Sequence, residues 1–340
     1  MGRPVVTRSA DCVYATSGWG IHDDRWIAAL EAVGYRPHAV SLGRDVGDVP
    51  HLQSAVAAAT AGGLPVLAGP LHSVTRHLVD LPISLVGLSW GYDFDVLAAE
   101  DTTWLAQLDG LIVDSWASAG YAQSQGLGRD RITFLPWGID LARFPLDGPR
   151  TTPADLGLPG EAQLLVSLRA HEPMYRVGDV VDAFVAMAAS APRAALILGH
   201  AGSLTFELEG RIEAAGLEDR VRYIGLVAED ALAPLLRGAT AYVTASQSDG
   251  TSVTLLQAMA CGAPVVASAT PGNSGWIVEG LTGLLFPVGR TAALARCLSR
   301  ACSEDLSALA GRARSVVETE GDWSANLPRL RAAMYRPTRA

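Results

Sequence analysis

The chain contains no lysine: all 26 of its basic side chains are arginine. Any phosphate contact must therefore come from a guanidinium, a backbone N–H or a hydroxyl. Cysteine is scarce. The four, at 12, 261, 297 and 302, fit neither a zinc site nor a C-x-x-C pair. They read as reduced core thiols. No apolar run approaches the roughly 20 residues that a membrane span needs. The stretch 1–16 lacks the apolar segment and cleavage pattern of a secretory leader. A cytoplasmic protein is expected. Charged residues are few, at 18%, and the net charge is −9. That balance argues against nucleic acid as a partner and against a polybasic membrane anchor, since both need a basic face. No histidine–carboxylate cluster has metal-ligand spacing, and neither a G-x-S-x-G elbow nor a P-loop occurs.

What is present is apolar. Hydrophobic residues make up 49% of the 340. That excludes disorder, and the length predicts two domains at about 150 residues each. Short apolar runs alternate with longer amphipathic stretches, the pattern of parallel sheets covered by helices. In the first half, strands are expected at 11–15, 38–42, 65–68, 83–88, 110–114 and 132–135, with helices at 24–33, 51–61, 98–108 and 117–125. The stretch 147–159, DGPRTTPADLGLP, has the composition of a domain boundary. The alternation then restarts. Strands are expected at 164–168, 194–198, 221–224, 241–245 and 264–267, and helices at 177–189, 204–215, 230–236, 253–260 and 291–300. Two doubly wound α/β domains would face across a cleft, at the carboxyl ends of the strands where such sheets bind ligands.

The segment 246–266, SQSDGTSVTLLQAMACGAPVV, carries the most chemistry. A strand ends, a small polar loop follows, and an apolar helix begins at 253. Gly250 lets a ligand approach the backbone closely. Thr251 and Ser252 are of the type that caps helices. The first-turn N–H groups, with roughly half a positive charge of helix dipole, make an anion site. Asp249, just ahead, can accept hydrogen bonds from hydroxyls. The plainer alternative is an ordinary helix cap.

The stretch 249–289, DGTSVTLLQAMACGAPVVASATPGNSGWIVEGLTGLLFPVG, resembles the signature of retaining GT-B glycosyltransferases of the family-four type, glycosyl transferases group 1. That signature is an acidic residue, seven others, a glutamate, then AMA-x-G-x-P-V-V and later G-x-x-G-L-L-x-P. GLIVDSWASAGYAQSQGLGRDRITFLPWGIDLARF (110–144) is similar to the end of that family's N-domain. LLVSLRAHEPMYRVGDVVDAF (164–184), LILGHAG (196–202) and VRYIGLVAEDALAPLLRGATAYVTAS (221–246) are similar to its C-domain, and GDWSANLPRL (321–330) to its terminal helix. The resemblance implies a GT-B fold. Residues 1–146 would form the acceptor-binding Rossmann-like domain, 147–318 the sugar-nucleotide-binding one, and 319–340 a helix crossing back to the first. The implied activity is transfer of a sugar, with retention, from a nucleotide sugar to a hydroxyl or amine. UDP is the expected carrier, and the acceptor is a small molecule, lipid or glycan. No cofactor or metal is implied, because helix dipole and arginine supply the positive charge that Mg²⁺ supplies elsewhere.

The resemblance also assigns residues. Asp249 stands where the family's first carboxylate orients the donor sugar. Gln257 stands where a glutamate holds the ribose. Gly250, Thr251 and Ser252 fall by the donor. The glutamate-to-glutamine departure removes a charge, and charged acceptors make hydrogen bonds about twice as strong. The plainer reading of Gln257 is a helix residue bonded within the protein. Arg169 and Arg176 correspond to the arginine and lysine that grip the donor diphosphate. Arg176 follows a slightly longer loop and reads otherwise as a solvated arginine. Asn273, after Pro271 and Gly272, falls by the donor or is a left-handed turn residue.

In the N-domain, Gly18 and Gly20 fall near the donor phosphate, and Trp19 and His22 near the acceptor. The missing third glycine separates this loop from a dinucleotide fingerprint. His72, in GPLHS, falls where related enzymes carry an active-site histidine; the plainer alternative is a structural histidine. Ser89-Trp90-Gly91-Tyr92-Asp93 resembles the family's W-G-x-D loop, which implies Trp90, Gly91 and Asp93 as acceptor contacts; Asp93 reads otherwise as a turn former. Asp249, Arg169, Arg176 and His72 form the expected catalytic set. Other readings are a sugar-nucleotide epimerase or pseudo-glycosyltransferase, a catalytically degenerate nucleotide-binding partner (suggested by Gln257), and a NAD-dependent oxidoreductase.

Overall fold

The computed structural model describes residues 10–91 and 93–335. Residues 1–9, where the leader reading falls, Tyr92 of the W-G-x-D loop, and the last residues of the expected 319–340 helix lie outside them. One compact unit takes in the described residues up to Pro136 and those from Ala325 on; a second runs from Trp137 to Ser324.

The first unit holds strands β1 (Cys12–Thr16), β2 (Pro37–Ser41), β3 (Val66–Ala68), β4 (Leu85–Leu88), β5 (Gly110–Val113) and β6 (Ile132–Phe134). They form one sheet in the order β2-β1-β3-β4-β5-β6, every pair parallel. The crossovers carry helices α1 (Ile21–Ala32), α2 (Val49–Ala59), α3 (Asp93–Leu97) and α4 (Trp116–Ser124). Val13, Ala15, Val66, Ala68, Leu111 and Val113 alternate along their strands into one core with Leu52 and Val56 of α2. Helix α2 starts where the Asp48 side chain accepts the His51 N–H at 2.9 Å, filling one of the orphan donors of the first turn.

The second unit repeats the plan with β7 (Gln163–Ser167), β8 (Ala194–Gly199), β9 (Val221–Gly225), β10 (Ala241–Thr244), β11 (Val265–Ser268) and β12 (Leu284–Phe286). Their order is β12-β11-β10-β7-β8-β9, again all parallel. The helices are α5 (Val177–Met187), α6 (Thr205–Ala214), α7 (Glu229–Gly238), α8 (Val253–Ala260), α9 (Pro271–Ser274), α10 (Thr291–Ser303) and α11 (Ser307–Glu320). A last helix, α12 (Trp323–Met334), belongs mostly to the first unit. Leu165, Leu196, Val243 and Val266 face α5 and α10. Tyr242, Val265 and Ala267 face α8 and α11 on the other side. This period-two alternation buries both faces of the sheet.

Three expectations are corrected. The helix expected at 98–108 is only α3 and a 3₁₀ turn at Thr103–Gln107. The Asp101 carboxylate takes the Thr103 N–H and hydroxyl, a local bond that competes with a helix. Strand β12 and helix α11 were not anticipated. Finally, the first unit ends at Pro136, ahead of the expected 146/147 boundary. The stretch 147–159 sits within the second unit, tied down by Arg237. This guanidinium, 6% exposed, donates to the Pro149 carbonyl (2.8 Å) and the Pro145 carbonyl (3.0 Å). Arg150 in turn donates to the Arg237 carbonyl at 2.8 Å.

Candidate functional site

In the second unit the strand order reverses between β7 and β10, so the loops after these strands open on one crevice. Arg169 leaves β7. The loop after β10 carries Asp249 and leads into α8. Arg169 Nη2 stands 2.8 Å from Asp249 Oδ2. Its Nη1 donates to Ser252 Oγ at 3.1 Å. The guanidinium also lies 4.1 Å from the Tyr175 ring centre, over the face that attracts cations. Both charged side chains are nearly buried, at 13% and 14% exposure. Their contact is one of charge without hydrogen-bond alignment at Oδ2, and Arg169 Nε has no partner. A buried donor and a buried acceptor thus stand unused beside a helix N-terminus.

Helix α8 forms because Leu255, Leu256, Ala258 and Met259 bury one face. It stops at Gly262, whose φ of +73° suits glycine. The Gly262 and Ala263 N–H groups return to the Met259 and Ala258 carbonyls, a Schellman closure. At the other end Ser252 holds the cap position, but its hydroxyl does not cap. It receives the Arg169 N–H instead, which corrects the expected cap. Thr251 Oγ1 accepts from Trp276 Nε1 at 3.4 Å. With no cap bond from the Ser252 side chain, the first turn can offer N–H groups to an anion.

Burial pushes the Asp249 carboxyl above the usual carboxylate range. Its desolvation outweighs the attraction of Arg169 and the hydrogen bonds from Ser246 and Gly250. Beneath the pair lies Tyr242, wholly buried, with its hydroxyl beside Ser252 and Thr254; burial pushes its pKa up to about 12. The loop itself rests on α9. A Cβ at Gly272 would overlap the Gly250 carbonyl, so only glycine permits this approach. Neither Tyr242 nor Gly272 was picked out from the sequence. A tyrosine in a strand reads as core, and a glycine after a proline reads as a turn.

The other donor-side candidates are placed as follows. Gln257 is half-buried, and among the described residues its side chain makes no hydrogen bond, so the reading as an internally bonded residue does not hold. Arg176 gives Asp179 two bonds, 2.7 and 3.1 Å, so its fork is already occupied. Asn273 is wholly buried in the helical α9, not in a left-handed turn, and its amide donates to the Ser268 carbonyl at 2.9 Å. Among the described residues, no group of three or more His, Cys, Asp or Glu is placed to hold a metal ion.

In the first unit, the candidates gather at the carboxyl ends of β1, β3 and β4. Gly20 opens α1, and its N–H donates to Asp23 Oδ2 at 2.8 Å. The Gly18 carbonyl accepts from Ser41 Oγ at 2.7 Å. Trp19 is held by the protein: its indole donates to Asp24 at 2.8 Å and Arg44 covers its ring at 3.8 Å. His22 meets the edge of Trp90 at 5.6 Å between ring centres. Burial, and then Arg25, push the His22 imidazole below its ordinary pKa. Gly91 follows, half-buried, in the turn after β4. His72 and Asp93, 21 positions apart, are brought together: His72 Nδ1 lies 2.6 Å from Asp93 Oδ1. Asp93 is wholly buried and also accepts the N–H groups of Leu71, His72 and Trp90. Of its two readings, acceptor contact or turn former, its full burial and the three backbone N–H groups it accepts fit the turn former.

Residues 150–315 match the family model described as glycosyl transferases group 1. This segment belongs to that family. A D-inositol 3-phosphate glycosyltransferase of Actinosynnema mirum is 32% identical over 179 residues, which is 50% of this chain and 43% of that relative. The matches to eight such curated relatives cover 38% to 49% of their lengths, so the chain spans less than half of each. HepE of Anabaena, solved with UDP and glucose, superposes with a TM-score of 0.72 at 18% identity, covering 95% of this chain and 98% of that one. Sucrose-phosphate synthase of Thermosynechococcus elongatus gives 0.72 at 19% identity, with the same coverage. The fold is therefore the two-unit α/β GT-B fold. The group 1 segment contains Arg169, Arg176, the 249–252 loop, Gln257 and Asn273. The first-unit candidates lie outside it.

Proposed function

We propose that the chain is a retaining glycosyltransferase that moves a sugar from a UDP-linked donor to a hydroxyl or amine acceptor. One observation carries this reading. A nearly buried arginine with an unused N–H, a carboxylate with an unused oxygen, and an uncapped helix start converge at the switch point of the second sheet. That is the donor and acceptor set a sugar diphosphate requires. The relatives' names and the UDP bound to HepE support it.

In this mechanism the anomeric C–O bond to phosphate breaks as the acceptor oxygen attacks the same face. The acceptor proton passes to the departing phosphate. Arg169 and the α8 N–H groups hold the growing phosphate charge, and Asp249 orients the sugar hydroxyls. Each charge-assisted bond contributes about 1.5–3 kcal/mol, or roughly ten- to a hundredfold. Arg176 joins them only by releasing Asp179. No divalent ion is assigned a role, since arginine and helix dipole supply the positive charge. The first unit takes the acceptor. The four unpaired cysteines support a reducing, cytoplasmic setting. Among the described residues no helix is long and apolar enough to cross a membrane.

The test is a thermal-shift panel with UDP, GDP, ADP, dTDP and NAD, on the wild type and on Arg169→Ala, each against its own ligand-free midpoint. A ligand at a hundred times Kd adds about 2.7 kcal/mol. A shift with UDP that Arg169→Ala loses is expected. No shift with any diphosphate would sink the reading and favour a degenerate partner, the alternative that Gln257 suggests.

A further inference from the structure

Strand β10 lies inside its sheet and is buried on both faces, yet only one face is apolar throughout. Ala241, Val243 and Ala245 join the core against α5 and α10. On the other face stand Tyr242 and Thr244, and the same period of two carries on to Ser246. All three are wholly buried. This row of hydroxyls leads to the charged pair. Thr244 Oγ1 and Ser246 Oγ are 3.2 Å apart, and Ser246 bonds to the Asp249 carboxylate. Tyr242 is the exception. Its hydroxyl has no hydrogen-bond partner, although the Ser252 and Thr254 side chains stand beside it. Phenylalanine would fill the same space without leaving a buried O–H unmet, so the hydroxyl needs a reason.

The neighbouring arginine supplies one. Arg169 Nε is buried without a partner, so it meets a ligand only by a turn of the guanidinium. That turn draws Nη1 away from Ser252 Oγ, now 3.1 Å distant. Ser252 is 1% exposed, so water cannot replace the lost bond. A serine hydroxyl has one proton and two lone pairs, and the phenol beside it can give or accept. Burial pushes the Tyr242 pKa up to about 12, which keeps the phenol protonated at neutral pH. We infer that Tyr242 is a positioning residue of this site: its hydroxyl takes up Ser252 as Arg169 turns to an incoming phosphate, and so lowers the cost of freeing the arginine. The inference rests on the proposed transferase reading for the ligand, a nucleoside diphosphate.

The experiment uses the full chain and two probes, UDP and inorganic pyrophosphate, the second needing the anion site alone. Calorimetry and thermal unfolding compare wild type, Tyr242→Phe, Ser252→Ala and the double variant. Without a probe, Tyr242→Phe is expected to keep or raise the Tm, because the hydroxyl it removes makes no bond there. It is expected to weaken probe binding about two- to tenfold, the contribution of one hydrogen bond. On the Ser252→Ala background the same change should weaken binding no further, since no serine hydroxyl is left to take up. A residue that only packs the core would move Tm and affinity together.

A lowered Tm in Tyr242→Phe overturns the inference, for the hydroxyl would then serve the core. Unchanged or tighter binding overturns it too, as does an equal loss on the Ser252→Ala background. Should Ser252→Ala not fold, the split between Tm and affinity in Tyr242→Phe decides. Pyrophosphate bound without UDP refutes the transferase reading alone, and the comparison then runs on pyrophosphate. If the wild type binds neither probe, both fall.

Discussion

Replacing Arg169 by alanine tests the electrostatics of the proposed donor site before any substrate is added. The change leaves the Asp249 carboxylate nearly buried without its counter-charge, and Ser252 Oγ without its donor. Breaking one side of a buried pair costs about 3–5 kcal/mol. Both side chains keep some exposure, so the lower end applies, about 3 kcal/mol. In a unit of this size that lowers Tm by about 6–12 °C. The pH dependence has a definite sign. Burial already raises the Asp249 pKa in the folded state. A carboxyl so raised holds its proton longer when folded, so its contribution to stability falls as pH climbs from about 3.9 through the folded value. Without Arg169 the folded value rises further, and the fall extends to higher pH. Calorimetry between about pH 4 and pH 8 should show the variant's deficit growing with pH. Removing the carboxylate as well, in Arg169→Ala/Asp249→Ala, should recover about half of the loss. If the double variant is as unstable as the two single losses added together, the pair is not coupled and the reasoning fails.

Gly272→Ala should displace the 249–250 backbone, cost about 1–3 kcal/mol and weaken UDP at least tenfold; an unchanged Tm and Kd would contradict the close approach. Gln257→Glu restores a charged acceptor on α8 and should tighten UDP severalfold in calorimetry; weaker binding would mean that this side chain does not face the ribose. Asp48→Ala removes the α2 cap and should cost about 1 kcal/mol in urea unfolding, with nucleotide binding untouched.

The alternation of strands and helices was legible because both faces of the inner parallel strands, such as β1, β4, β5, β8 and β10, are buried, so their apolar runs are nearly continuous. Helix α8 was placed to the residue, since polar loop residues and Gly262 punctuate both ends. The 98–108 segment was misread because Asp101 captures Thr103, a side-chain bond that periodicity does not register. Arg169, Asp249 and Ser252 follow from position, one ending β7 and the others following β10. The role of Asp93 does not. Its partners lie on two turns about 20 positions apart, and only the strand order makes them neighbours. Arg176 fits its expected place in the sequence, yet its pairing with Asp179 depends on a left-handed backbone that nothing nearby announced.

The grip of Arg237 on residues 145–150 changes how this chain can be divided. By composition the 147–159 stretch invites a protease, and it is where one would cut to isolate the second unit. The Pro149 carbonyl within it and the Pro145 carbonyl just ahead of it, however, are what keep a buried guanidinium solvated from within. A fragment starting at residue 151 strips both acceptors from Arg237 and leaves a charge in an apolar wall. An excised unit should therefore begin at Trp137. In limited proteolysis, the segment that looks most like a linker should be among the later places to be nicked.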